Sequence, residues 1–292
     1  MDDAAACPIC GSVCARAGPV VHNEPTRVAG VPIDLSGLDQ VMMRCPACAL
    51  MFKHPFVPEA QLVRCYESAP GDQWQDDPDP VARRFDDIER VVRAHATGHR
   101  LLDIGCSNGA LLAFMGSSWS RCGIEPGIEA ARLARDRGVE ILGSMIDDLG
   151  DAERFDGMLA IDVLEHLTDP GAFVARVRRA LAPGGVFVAL TGDTDTPSWR
   201  WHGTRYWYAA LPEHQVFFSR ATIERLARDH AMTLAHYERT SHARFSASRR
   251  VRDAVRGSLW GLAGRLRLGG RGPAPGWLPA RDHMLVALVA DD

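Results

Sequence analysis

Long hydrophobic runs are absent from this sequence, and so is a basic amino-terminal segment. No apolar stretch reaches the roughly 18 residues that a membrane-spanning helix needs. The first ten residues, MDDAAACPIC, carry acids where a secretory signal carries basic residues followed by an apolar run. These two absences argue against a membrane-spanning or secreted protein, and we expect a cytoplasmic one.

Lysine is nearly absent as well, because Lys53 is the only lysine among 33 basic residues. A base-composition bias of the genome explains this preference for arginine, so we infer no function from it. The net charge of −4 gives no overall indication of a nucleic-acid or membrane partner. The 292 residues, 46% of them hydrophobic, suffice for one α/β domain and a small added module.

Eight cysteines are present, and in a reducing cytoplasm they are not expected to form disulfides. Four of them form two C-x-x-C pairs, which can direct four thiolates at one tetrahedral zinc ion: Cys7, Cys10, Cys45 and Cys48. Such a closed site leaves no position for water, so the zinc would be structural. The alternatives are a chance pattern or a redox dithiol. Cys14 and Cys65 are expected to stand outside the site.

The chain divides into three predicted parts. Residues 1–66 form the zinc-binding module with its connector, 67–98 a linker and lid helix, and 99–292 the main domain. The Pro, Gly and Asp cluster APGDQWQDDPDP marks the linker. A helix is predicted to begin at Asp79 and Pro80, with a stripe of residues facing the core: Phe85, Ile88, Val92 and a packed His95.

From residue 100 onward, short apolar runs alternate with helical stretches. The runs are RLLDIG, RCGIEP, VEILG, FDGMLAID and GVFVALT, followed later by TLAHYERT and HMLVALVA. This alternation predicts an α/β fold with a doubly wound, mostly parallel sheet of seven strands.

The segment LLDIGCSNGALL forms the first of these strands and its turn. Gly105 and Gly109 remove side chains so that a ligand can lie against the backbone, and Asp103 offers an acceptor. Ser107 stands where a dinucleotide-binding motif has its second glycine, which disfavours a pyrophosphate. Glu125 ends the second strand and can accept the two hydroxyls of a ribose. Together they predict a nucleoside ligand, with a dinucleotide-binding domain as the alternative.

Residues 100–240 resemble the class I S-adenosylmethionine-dependent methyltransferases. The resemblance is carried by LLDIGCSNG, GIEP, FDGMLAIDVLEHLTDP and LAPGGVFVAL, in that order. The C-x-x-C pairs and LPEHQVFFS further resemble bacterial methyltransferases of sugar, surface-polysaccharide and natural-product pathways, some with an N-terminal zinc module. The resemblance implies these cofactor-binding positions: Asp103, Gly105, Cys106, Ser107, Gly109, Glu125, Pro126, Ser144, Met145, Asp162 and Val163. Many such enzymes have an aspartate where Ser144 and Met145 stand, and Asp147 is a substitute.

Methyl transfer to oxygen benefits from a positioned base. His214 in LPEHQVFF is the preferred candidate and His166 in VLEHL the second, with Glu213 or Glu165 orienting an imidazole. The resemblance favours Glu213 and His214, although Leu211 replaces the tyrosine of the related Tyr-x-Glu-His run.

An aromatic loop lies between the fifth strand and His214, and its rings suit either contact with a sugar or ring-shaped acceptor or coverage of the core edge. These rings are Trp199, Trp201, Tyr206, Trp207 and Tyr208.

Residues 242–281 form an arginine-rich insert before the last strand. Over 249–268 it carries one apolar stripe, made of Val251, Val255, Leu259, Leu262 and Leu266. Such a helix is typical of three roles: packing on the domain or on a second subunit, contact with an anionic membrane surface, or RNA binding.

The sequence therefore predicts a zinc-stabilised enzyme that uses S-adenosylmethionine to methylate a small sugar-containing or natural-product metabolite, at oxygen. An RNA methyltransferase and a non-catalytic nucleoside-binding protein are the alternatives. A homodimer is compatible with the insert.

Overall fold

A computed structural model describes residues 5–71, 84–241, 244, 246–266, 268, 272–274 and 281–291. The predicted helix start at Asp79 and Pro80 lies outside these residues, as does much of the predicted linker. No helix in the described part of the chain is long and apolar enough to cross a bilayer.

The described chain contains 14 strands and eight α-helices. The strands are β1 Ala5–Ala6, β2 Val13–Pro19, β3 Arg27–Val28, β4 Val31–Pro32, β5 Val41–Arg44, β6 Met51–His54, β7 Arg100–Ile104, β8 Ser120–Ile124, β9 Glu140–Gly143, β10 Phe155–Ile161, β11 Leu181–Gly192, β12 Val216–Phe217, β13 Met232–Thr240 and β14 His283–Ala290. The helices are α1 Glu59–Glu67, α2 Phe85–His95, α3 Ala110–Met115, α4 Ile128–Asp136, α5 Pro170–Ala180, α6 Pro197–His202, α7 Arg220–Asp229 and α8 Ala247–Arg265.

The main sheet has seven strands in the order β13-β14-β11-β10-β7-β8-β9. The five strands from β11 to β9 are parallel, and β14 runs antiparallel to both of its neighbours. The predicted fold class is confirmed. The chain winds outward from β7 to β9 and then returns to β10 on the other side of β7, so the carboxyl ends of β7 and β10 form the switch point where such sheets bind ligands.

A second sheet joins the amino-terminal segment to the main domain. Its order is β1-β2-β5-β6-β12, and β12 lies immediately after the predicted base His214. Phe52 in β6 pairs with Val216 in β12, and Met51 pairs with Phe217. The sheet formed by the cysteine-bearing segment therefore includes one strand, β12, from the carboxyl-terminal half of the chain. Sequence patterning did not predict β2 or this pairing.

Local sequence explains several helix boundaries. Asp169 accepts a hydrogen bond from the Ala172 amide and Pro170 occupies the first turn, so α5 begins there. On α2, Phe85, Ile88 and Val92 are buried as predicted, because their spacing places them on one face. His95 is half-buried, with its ring centroid 6.4 Å from that of His236.

Candidate functional site

The turn after β7 holds its shape through backbone contacts. Gly105 has φ +74°, a left-handed conformation that favours glycine, and its amide donates to the Ile124 carbonyl at 2.8 Å. A Cβ on Gly105 would lie 2.8 Å from Val163 Cγ2, too close for any side chain. The loops after β7 and β10 therefore meet at Gly105, with bare backbone between them.

Gly109 serves packing rather than an open cradle. It also has φ +74°, and a Cβ there would meet Val139 at 2.9 Å and the Ala134 backbone at 3.1 Å. This allows α3 to begin close against α4. Cys106 is 4% exposed, and its sulfur occupies the space beside Gly123, so its side chain faces the core.

Glu125 organises the second side of the turn. Its Oε2 accepts a hydrogen bond from the Ser107 amide at 2.8 Å, and its Oε1 accepts one from the Gly127 amide at 2.7 Å. Burial raises the pKa of this carboxyl group above its ordinary value, and the two amide bonds oppose that effect. Each carboxylate oxygen keeps a further lone pair, so Glu125 can still accept two hydroxyl groups. Pro126 is half-buried beside it.

Asp148 shapes the turn after β9, because its Oδ2 accepts hydrogen bonds from the amides of Ser144 and Met145 at 2.7 and 2.9 Å. The role of Asp147 toward adenine stays a prediction. These bonds lower the pKa of Asp148, which keeps the group ionised. Met145 is 37% exposed and offers an apolar thioether surface at this edge of the switch point.

Two acids mark the strand ends between these turns. Asp103 is 3% exposed in β7, and Asp162 follows β10 with φ +53°. A left-handed conformation at a non-glycine residue is costly, and such strain concentrates at functional sites. Asp162 and Val163 follow β10 directly, and their role as the wall of the cofactor site stays a prediction.

The two predicted base candidates lie against each other. The ring centroids of His166 and His214 are 5.0 Å apart with an angle of 71° between the planes. One ligand-type atom from each of Glu165, His166 and His214 lies within 4.8 Å of the other two. Residues that are 48 positions apart in sequence, His166 and His214, thus form one buried polar cluster beside the β10 carboxyl end.

Each imidazole has one nitrogen committed to a partner. His214 Nδ1 lies 2.9 Å from the Tyr208 carbonyl oxygen, and His166 Nδ1 lies 2.6 Å from the Tyr66 hydroxyl. A carbonyl can only accept, so Nδ1 of His214 carries the proton and Nε2 carries the lone pair. Burial lowers the pKa of His166 to about 4 and that of His214 well below 6.5, so both rings are neutral at pH 7.

Glu165 lies beneath the two rings and is fully buried. It accepts hydrogen bonds from the Tyr208 hydroxyl at 2.6 Å and the Thr191 hydroxyl at 2.7 Å. Burial and the nearby charge of Asp162 raise the pKa of Glu165 to about 7. This carboxyl group is therefore poised between its two protonation states near neutral pH.

A family model described as a methyltransferase domain matches residues 79–236, which is more than half of the chain. The chain belongs to this methyltransferase family. The predicted enzyme class, an S-adenosylmethionine-dependent methyltransferase, is confirmed.

Among curated relatives, the methyltransferase is 35% identical over 120 residues to a ubiquinone biosynthesis O-methyltransferase of Bradyrhizobium sp. (strain ORS 278). That match covers 39% of this chain and 47% of the relative, so the chain spans about half the length of the curated relatives it matches.

Two solved structures share the fold. N-methyltransferase NodS from Bradyrhizobium japonicum WM9, in complex with S-adenosyl-L-homocysteine, has a TM-score of 0.52 at 18% identity and covers 80% of this chain and 98% of its own. A Burkholderia thailandensis 1,6-didemethyltoxoflavin-N1-methyltransferase has a TM-score of 0.52 at 17% identity, covering 89% and 98%. At these identities, the likeness concerns the fold alone.

Sequence reasoning missed the role of Lys53 in the methyltransferase. Lys53 is fully buried in β6, and its Nζ donates to the Leu211 carbonyl at 2.6 Å. Burial lowers the pKa of Lys53 to about 7, and the nearby Glu213 opposes this shift. Its status as the only lysine was the signal in the sequence.

The turn that carries Glu213 and His214 is held by the amino-terminal segment. Besides the Lys53 side chain, the Lys53 amide donates to the Gln215 carbonyl at 2.9 Å and the Val57 amide donates to Gln215 Oε1 at 2.9 Å. Glu213 is 5% exposed, and burial raises its pKa. The group that orients His214 is the Tyr208 carbonyl, which takes the place that the prediction gave to Glu213.

The two cysteine pairs converge in the methyltransferase. The Sγ atoms of Cys7 and Cys48 are 3.5 Å apart, as are those of Cys10 and Cys45, and all four lie within 4.8 Å of one another. In each knuckle, the residue after the second cysteine adopts a left-handed conformation, Gly11 with φ +68° and Ala49 with φ +63°. Cys14 and Cys65 lie outside this group of four, as predicted.

The aromatic loop mainly covers the core edge. Trp199, Tyr206 and Tyr208 are at most 5% exposed and pack with Met42 and Phe217 of the second sheet. The alternative of core coverage is therefore correct for these three rings. A cavity of about 510 Å³ lies at this interface, lined by residues that include Gly18, Met51 and Trp199.

Proposed function

We propose that this methyltransferase transfers the methyl group of S-adenosylmethionine to a hydroxyl oxygen of a small metabolite. The observation that supports it best is the neutral imidazole of His214, whose Nε2 bears the lone pair and whose ring lies 5.0 Å from that of His166, just after the end of β10. The O-methyltransferase names of the curated relatives support the choice of oxygen.

The residues present fit the cofactor. Glu125 has lone pairs for the ribose hydroxyls, Gly105 leaves bare backbone opposite Val163, and Met145 offers an apolar surface to adenine. Bound S-adenosylmethionine supplies an electrophilic methyl group on a sulfonium. Asp103 and Asp162 place negative charge beside the region that receives this cation.

His214 acts as the general base in this proposal. Its Nε2 takes the proton of the acceptor hydroxyl while the new carbon–oxygen bond forms and the carbon–sulfur bond breaks, and the proton then passes to solvent. Because burial keeps the pKa of His214 well below 6.5, the lone pair is present throughout the neutral range.

His166 orients the acceptor. Burial raises the pKa of Tyr66 well above 10, so its hydroxyl stays protonated and donates to His166 Nδ1 at 2.6 Å. The proton of the neutral ring is then on Nε2, where it can donate to the acceptor oxygen. His214 thus accepts a hydrogen bond from the acceptor hydroxyl group, and His166 donates one to it.

We also propose that Cys7, Cys10, Cys45 and Cys48 hold one structural zinc ion. Four thiolates at about 2.3 Å from a tetrahedral ion lie roughly 3.8 Å from one another. The separations of 3.5 Å between paired sulfurs are close to that value, and three of the four side chains are at most 3% exposed. The proposed zinc module, residues 1–66, would then stabilise β6 and through it the His214 turn.

The acceptor is tested with labelled S-adenosylmethionine and matched pairs of compounds that differ only in hydroxyl or amine. The panel contains phenols, sugars and polyketide-type scaffolds. We expect label on hydroxyl compounds, with the methylated atom located by mass spectrometry. Transfer to the amine members alone would contradict the proposal.

The cofactor contact is tested by Glu125→Ala. Loss of the hydrogen bonds to this charged group should raise the Kd for S-adenosylmethionine by at least about 10-fold, since each such bond contributes about 1.5–3 kcal/mol and about 1.4 kcal/mol corresponds to a factor of ten. Calorimetry measures this change. Glu129→Ala, an exposed acid on α4, is the matched control and should bind normally. Unchanged affinity in Glu125→Ala would place the ribose elsewhere.

A further inference from the structure

Helix α8 packs on the protein with its small residues. Its buried positions, Asp253, Gly257 and Gly261, recur every four residues and so form one face. A Cβ on Gly261 would collide with the Trp201 indole, and the Arg265 guanidinium lies 3.6 Å from the centroid of that ring. The glycine face therefore lies directly against α6.

The apolar stripe of α8 faces solvent. Its side chains are 48% to 65% exposed, and they are Val251, Val255, Leu259, Leu262 and Leu266. Fifteen helical residues span about 22 Å, so these side chains form a continuous apolar strip. Soluble monomers rarely expose such a strip unless it binds something. The helix thus packs on the domain, as one of the three predicted roles has it, but through its glycine face and not through the apolar stripe.

The charge around the strip is almost entirely positive. Asp253 is the only acid within Ala247–Arg265, and it is buried at 3.6 Å from Arg252 and 3.9 Å from Arg249. The exposed surface of the helix is therefore aliphatic along its centre and bordered by guanidinium groups. The arginines beside the strip are Arg249, Arg252 and Arg256, whereas Arg250 lines a pocket with Glu238 and Arg244 and Arg265 lies over Trp201.

The aliphatic strip and the arginines beside it distinguish among three candidate partners: a second copy of the chain, a nucleic acid and an anionic bilayer. A second copy packed strip to strip would bring arginine rows of like charge together in a desolvated interface. A nucleic acid would satisfy the arginines but leave the aliphatic strip against phosphates and water. An anionic bilayer satisfies both, because acyl chains cover the leucines and valines while phosphate headgroups pair with the guanidinium groups.

We propose that α8 binds the surface of anionic lipid bilayers, with its Val251–Leu266 strip inserted at the level of the headgroups and its glycine face still packed on α6. The helix lies parallel to the membrane in this arrangement. The inference depends on α8 alone and is independent of the proposed reaction.

Vesicle flotation with the full chain tests the proposal. We expect binding to phosphatidylcholine vesicles that contain about 30 mol% phosphatidylglycerol to be at least tenfold tighter than to phosphatidylcholine alone. Raising the salt from about 0.05 to 0.5 M should weaken the anionic component. Absence of binding to both vesicles, or equal binding to both, would overturn it.

Matched variants separate the strip from the rest of the surface. Val255→Asp with Leu259→Asp should lower vesicle affinity at least tenfold, and Arg252→Gln with Arg256→Gln should remove the preference for phosphatidylglycerol. Val13→Asp changes a 70% exposed valine outside α8 and should bind like the parent protein. Circular dichroism and retained S-adenosylmethionine binding show that the variants are folded.

Light scattering tests whether a second copy of the chain covers the strip. If the parent protein is a dimer that Val255→Asp with Leu259→Asp converts to a monomer, a second copy covers the strip and the membrane proposal is wrong. If RNA binding is lost in the arginine variant but unaffected by the two aspartates, and vesicles do not bind, the proposal is equally wrong.

Discussion

Replacing His214 with glutamine is expected to lower kcat by about 10²- to 10⁴-fold, the usual contribution of a positioned general base. Glutamine can still donate to the Tyr208 carbonyl but has no lone pair of comparable basicity. The Kd for S-adenosylmethionine should change little, because His214 lies at the turn before β12 and not at the glycine turn after β7. Single-turnover kinetics and calorimetry measure the two quantities separately.

Two further variants test whether the loss of kcat is specific to His214. His236→Gln removes another imidazole of lowered pKa on β13, away from the cluster, and should keep kcat. His166→Gln should weaken acceptor binding and reduce kcat less than His214→Gln does. If His166→Gln abolishes turnover while His214→Gln remains active, the base is His166.

Replacing Cys45 with serine should abolish zinc binding and most activity together. A structural metal couples its binding free energy to folding, and its loss should cost about 2–5 kcal/mol, as removal of a native disulfide does. For a chain of this size, the Tm should fall by roughly 10 °C. Elemental analysis, expected to give one zinc per parent chain, and calorimetry measure both effects.

Activity is expected to fall together with zinc binding because the second sheet joins the cysteine-bearing segment to the turn that carries His214. β6 carries Lys53 and pairs with β12, so disorder in the cysteine-bearing segment releases the turn that holds His214. Cys122→Ser, a fully buried thiol in β8, should keep both zinc and activity. A parent protein without zinc, whose cysteines titrate as a reversible dithiol, would support the redox alternative.

The sequence predicted the main sheet well because its information is local. Each strand from β7 to β11 is a short apolar run between helical stretches, and the residues at strand ends, such as Asp103 and Glu125, follow from that pattern. Contacts between distant segments left no such periodic signal. The pairing of β6 with β12 and the hydrogen bond from Lys53 to Leu211 could not be predicted for this reason.

The sequence pattern also did not determine how α8 is oriented on the protein. The periodicity of α8 identified an apolar stripe correctly, but not which side packs on the protein. Gly261 decided that, because a Cβ at this position would collide with the Trp201 indole. Likewise, the motif around His214 did not reveal that its Nδ1 partner is the Tyr208 carbonyl of the aromatic loop.

The pairing of β6 with β12 also has a consequence for biosynthesis. Lys53 and Leu211 are separated by 158 residues, so most of the polypeptide must leave the ribosome before they can meet. The cysteine knuckles are translated early and could bind the proposed zinc ion at once, whereas the edge of β6 stays unpaired until β12 has been synthesised. An unpaired strand edge is prone to wrong association, which makes the interval between these two events the vulnerable stage in the production of this chain.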